Sequence, residues 1–156
     1  MKRLLLFALT AAVVLPFAPR VRAQSKTDFS GTWTLDASRS DAPMGRGGRG
    51  GGGGGGRGGG PIVISQTATD ITIGMATYKL DGSESVNEGR GGQAKSKAHW
   101  DGAKLVIETS REMQGMAMTS KEVRSLSADG KDMTVETAFS TPQGDRNQKQ
   151  VFTKGM

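Results

Sequence analysis

Three Asp-Gly pairs, Asp81-Gly82, Asp101-Gly102 and Asp129-Gly130, each stand between short runs rich in β-branched and apolar residues. Asp-Gly accepts the positive φ angles of the tightest antiparallel turns, which most dipeptides enter only with strain. "HWDGAKLVI" and "RSLSADGKDMTV" therefore each read as strand, turn, strand, and a succession of such hairpins makes an antiparallel meander. Strands are expected near 31–35, 62–67, 70–75, 77–80, 94–100, 104–111, 119–126, 133–140 and 146–153, with no convincing helix.

Alternation says which side of this sheet is dry. Met133, Val135, Thr137 and Phe139 share one face, while Thr134, Glu136 and Ser140 share the other, as expected of strands with one buried and one wet side. Leu105 and Ile107 oppose Lys104 and Glu108 in the same way. In 119–126 the pattern fails, because Val123 and Leu126 have opposite parity; a β-bulge is the expected cause. A sheet with one greasy face and no helix to cover it must curl onto itself or fold into two layers. The expected fold is all-β, an antiparallel meander of about eight or nine strands closed into a barrel or open barrel.

The N-terminal "MKRLLLFALTAAVVLPFAPRVRA" places Lys2 and Arg3 before an apolar run from Leu4 to Phe17 and ends on Val21-Arg22-Ala23. That is the pattern of a cleaved export signal, and the run of 14 residues is too short to cross a bilayer as a helix, which takes ~20. A signal at 1–23, a single barrel-like domain at 24–156 and a periplasmic or extracellular location are expected, with no membrane span once the signal is removed. The chain has no cysteine, so neither a disulfide nor a lipid-anchored cysteine supports it, and the core alone must hold it together.

Residues 45–60 read "GRGGRGGGGGGGRGGG". Arginine-glycine tracts bind RNA through charge and stacking, but this one has three arginines and no aromatic residue, behind a signal that takes it away from cytoplasmic RNA. A disordered Gly/Arg-rich insert at 41–60 is expected, and "EGRGGQ" at 88–93 reads as a loop of the same kind. The formal charge of +6 also loses its meaning when located: without 1–23 and the tract, 14 basic residues face 15 acidic ones. No basic surface, and no nucleic-acid partner, follows from that balance.

"DFSGTWTLDASRS" carries Phe29, Gly31, Trp33 and Leu35 in F-x-G-x-W-x-L order, and "DGAKLV" and the closing "KQVFTK" supply a late hairpin and a last strand. In these features the chain resembles the calycins, that is the lipocalins and fatty-acid-binding proteins, and in particular exported bacterial lipocalin-like domains of uncharacterised role. The resemblance implies a barrel with Trp33 plugging one end and a small, partly apolar ligand in the lumen. Two family features are missing. Where fatty-acid-binding proteins carry an R-x-Y carboxylate clamp, Gln150 and Phe152 stand here, and the Gly tract takes the place of the helical lid.

Catalysis is not expected, and no cofactor is. His99 is the only histidine and shares parity with Lys95 and Lys97, on the solvent side, so nucleophile, base and orienting group cannot be assembled. For binding, Arg111 shares parity with Leu105 and Ile107 and so points inward near a barrel mouth; Arg124 joins it if the bulge puts Leu126 inside, and Tyr78 offers an amphipathic wall. A buried guanidinium needs an acidic partner or an anionic ligand; the alternative is that Arg111 snorkels at the rim. A second constellation, Met113, Met116 and Met118 in "EMQGMAM", offers soft thioethers suited to Cu(I), or flexible packing at a hairpin end. A structural envelope module with no ligand is the remaining alternative, and the oligomeric state is open.

Overall fold

The computed structural model describes residues 27–42, 60–89, 92–113, 115–141 and 144–155. The expected signal and most of the Gly tract lie outside these residues.

Ten strands follow one another along the described chain: β1 Gly31–Leu35, β2 Ile62–Gln66, β3 Asp70–Ile73, β4 Ala76–Lys79, β5 Glu84–Gly89, β6 Gly92–Asp101, β7 Lys104–Met113, β8 Met116–Leu126, β9 Asp132–Thr141 and β10 Gly144–Lys154. They form one antiparallel sheet in the order β4-β3-β2-β1-β10-β9-β8-β7-β6-β5. Strands consecutive along the chain account for every ladder except β1 with β10, where Trp33 pairs with Lys154 and Leu35 with Phe152. That one long-range pairing curls the meander into a nearly closed barrel. The glycines of the three Asp-Gly turns take φ of 82, 60 and 69°, the left-handed region the dipeptides were expected to supply.

Two expectations need correction. There are ten strands rather than eight or nine, because β5 runs through "ESVNEG" and much of the expected loop at 88–93 is strand: Glu88 pairs with Gln93 across the β5–β6 hairpin. The bulge is also absent, since β8 and β9 pair without interruption from Thr119 with Ser140 to Leu126 with Met133. Val123 has the opposite parity because it faces outward, in register with buried Val106. The inner face of β8 carries Glu122 and Arg124 instead, which broke the apolar alternation.

The core fills one end of the barrel. Phe29, Trp33, Ile71, Leu105 and Met133 are fully buried, with Phe152, Ile64, Ile73 and Val135 around them. The Trp33 indole N–H donates to the Phe29 carbonyl at 2.8 Å, and Phe29 stacks on Trp100 with centroids 6.1 Å apart, so the two indoles and Phe29 pack together at this end. Lys154 lies over Trp33, its ammonium 5.4 Å from the ring centroid. It reaches there across Gly31, where a Cβ would meet Lys154 Cε at 2.8 Å.

The walls are unequal. β1 to β4 have four or five residues each, β6 to β10 ten or eleven. The excess length of β10 is matched by the chain after β1: Asp36 N–H donates to Val151 O and Asp41 N–H to Lys149 O, each at 2.8 Å, while Ser40 Oγ accepts from Val151 N–H at 2.9 Å. Asp41 and Ala42, expected to open the insert, thus belong to the ordered wall. Arg39 clasps this segment to β9, giving its two terminal nitrogens to the Asp132 carboxylate at 2.8 and 2.9 Å and its Nε to Asp36 at 2.6 Å.

Candidate functional site

Down the inner face from the sealed end, apolar side chains give way to polar ones. β8 presents Leu126, Arg124, Glu122, Ser120 and Met118 inward in turn. Arg124 stands between Leu105 and Val135, and Glu122 between Ile107 and Thr137. Next come hydroxyls, with Ser96 and Thr109 bonded at 2.8 Å. Last comes the rim, where Arg111 pairs in register with Met118 and Arg146 with Phe139.

Arg124 is 3% exposed. Its Nε donates to Glu122 Oε1 at 2.5 Å, and its Nη1 lies 3.7 Å from the Met133 sulfur. A guanidinium in such a place needs a counter-ion, and Glu122 is that counter-ion. The sequence reading missed it, because a glutamate in a strand normally marks the wet side. The signal that would have found it is the spacing: opposite charges two residues apart on a strand share a face.

Tyr78 on β4 is buried across the lumen. Burial raises the pKa of its phenol, and the charge of Glu122 raises it further, against smaller opposing effects from Arg124 and Arg111. Arg111 and Arg124, expected with Tyr78 to orient a ligand, thus both lie within electrostatic reach of that phenol. Their circumstances differ. Arg124 is already neutralised, whereas half-buried Arg111 has no carboxylate partner among the described residues.

Met113 pairs in register with Met116 across the β7–β8 hairpin, one step beyond Arg111 and Met118. Met116 is 42% exposed. Among the described residues no group of three His, Asp or Glu side chains is placed to hold a metal ion. His99 is exposed on β6, on the outer side where its parity put it.

A depression of ≈ 570 Å³ runs along the long strands, lined by outward Lys95, Lys97, Lys121, Glu84 and Glu108 and touched as well by inward Ser96, Thr109, Ser120 and Phe139. Its charges largely answer one another, Lys95 with Glu84 at 3.8 Å and Lys121 with Glu108 at 3.7 Å. Pairs this long and this exposed contribute little, and the surface is balanced rather than selective. The chain matches no protein-family model, and no curated protein matches it in sequence.

Proposed function

We propose that the protein is an exported, lipocalin-like binding module whose inner face, on the open side of the barrel, receives a small, partly apolar anion. The observation that carries this reading is Arg111: a half-buried guanidinium, facing the same lumen as Tyr78, with no acidic partner among the described residues. Charge-assisted bonds to an anion are among the strongest single polar contacts available to such a group. Phe139 and Met118 supply adaptable apolar surface beside it, and the hydroxyls of Thr109, Ser120 and Thr137 supply polar contacts. The site works by shape, burial and one oriented charge, not by chemistry on the ligand.

The test is thermal stabilisation by an amphipathic anion such as decanoate. The protein is expected to gain in melting temperature with decanoate and not with decanol, and Arg111→Ala to lose the difference. An equal response of both proteins would remove Arg111 from the site.

A purely structural role in the envelope is the second reading, favoured by the packed core and by the Glu122 counter-ion that leaves Arg124 nothing to bind. A protein of that kind would respond to neither compound. The Cu(I) reading draws on the Met113–Met116 register, but Arg111 stands opposite Met118, and a neighbouring cation weakens a cation site. It predicts Cu(I) uptake that disappears when Met113, Met116 and Met118 are replaced together.

A further inference from the structure

The strand order has two ends, β4 and β5, and they face each other across the barrel wall. Adjacent strands elsewhere are joined by backbone ladders, ten residue pairs long between β9 and β10. No ladder joins β4 to β5. What crosses between them comes from two side chains of β5. The Asn87 carboxamide accepts from the Thr77 N–H at 2.9 Å and donates to the Thr77 carbonyl at 3.0 Å; Ser85 Oγ accepts from the Lys79 N–H at 2.9 Å. A carboxamide offers a donor and an acceptor as a peptide unit does, so Asn87 imitates one rung of the ladder that is missing.

Below these bonds the wall is pinned. Gly82 N–H donates to Ala98 O at 2.9 Å and Leu80 N–H to Thr69 O at 2.7 Å, and Gly82 has φ of 82°. Thr77 and Lys79 are exposed while Tyr78 between them is buried; the two Asn87–Thr77 bonds lie at the exposed surface, whereas Ser85 is buried and its bond to Lys79 is partly so. Parting the strands breaks three side-chain bonds, two of them already at the exposed surface, whereas parting any long pair breaks a run of backbone bonds together.

The geometry points to the β4–β5 joint as the line along which the barrel wall opens, with Asn87 as its latch, the Leu80–Gly82 turn as its hinge, and the inner face at Tyr78 as what opening uncovers. This concerns the wall itself and holds whether the lumen takes an anion or nothing.

Two measurements on the full chain test it. Under native conditions the Thr77 and Lys79 amides are expected to exchange with deuterium about tenfold or more faster than amides of the β9–β10 ladder, as local opening below the global unfolding limit requires. Tyr78 is the only tyrosine, so nitration by tetranitromethane reports its access without ambiguity. Asn87→Ala is expected to speed both Thr77 exchange and Tyr78 nitration by about tenfold, the loss of one or two net hydrogen bonds, while β9–β10 amides keep their rates. Asn87→Asp, which keeps the acceptor and loses the donor, is expected to fall between. Protection at Thr77 equal to that of β9 and β10 in the unaltered protein would overturn the inference, and that result needs no variant to fold. Unchanged nitration in a folded Asn87→Ala protein would overturn it equally.

Discussion

Arg124 carries its charge into the barrel because Glu122, two residues away on the same strand, meets its Nε at 2.5 Å. A pair like this is seldom worth much over apolar residues of the same size, but half of it is worse than none. Glu122→Ala should therefore destabilise the protein by about 3–5 kcal/mol, the usual effect of leaving a buried charge unpaired, while the double change Glu122→Leu with Arg124→Met should cost far less. Denaturant unfolding of the two proteins checks this, and equal losses would mean that the pair is not acting as a unit. Gly31 is a smaller case. Its φ of 136° strains any residue with a side chain, while the Lys154 stem beside it is flexible and can move aside, so Gly31→Ala should lower the melting temperature, and Lys154→Ala in the same chain should recover little because the backbone strain stays.

The clasp formed by Asp36, Arg39 and Asp132 holds the chain after β1 against β9 and β10. Bonds from Ser38 and then Arg39 hold the Asp36 carboxyl down to about 2, and Arg39 lowers Asp132 as well. Both carboxyls are depressed on folding. Their contribution is thus whole above the ordinary carboxylate pKa of about 4 and is lost as the pH falls below it, for Asp36 down to about 2. Amide exchange at Asp41, bonded to Lys149 O, should accelerate over that window before the β6–β9 amides do, and Arg39→Ala should shrink the pH step to the part that the Ser38 bonds sustain at Asp36. The sequence showed the hairpins plainly because Asp-Gly turns and apolar alternation are local. It hid β5 for a physical reason: "ESVNEG" has one bulky apolar residue, Val86, which is 51% exposed, while its inward residues, Ser85 and Asn87, make hydrogen bonds that no hydropathy pattern reveals. Arg111 could be placed on the inner face by parity, whereas Arg124 was reached only through a bulge that is not there and Tyr78 only as an amphipathic wall; Glu122 could not be placed, since its burial depends on a partner.

At the level of the whole barrel, strength is unevenly shared. One wall is made of ten- and eleven-residue strands in continuous ladders, the other of four- and five-residue strands, and the joint between β4 and β5 falls where the short wall ends. Local stability should follow that division, with exchange protection highest in β7 to β10 and lowest at β4 and β5. The two tryptophans, Trp33 and Trp100, both sit at the sealed end around Phe29, far along the strands from Arg111 and the methionines. Intrinsic fluorescence will therefore watch one pole of the molecule only: an emission trace can stay flat while a compound settles at the other pole, and a titration followed at that wavelength would score a genuine binder as inert.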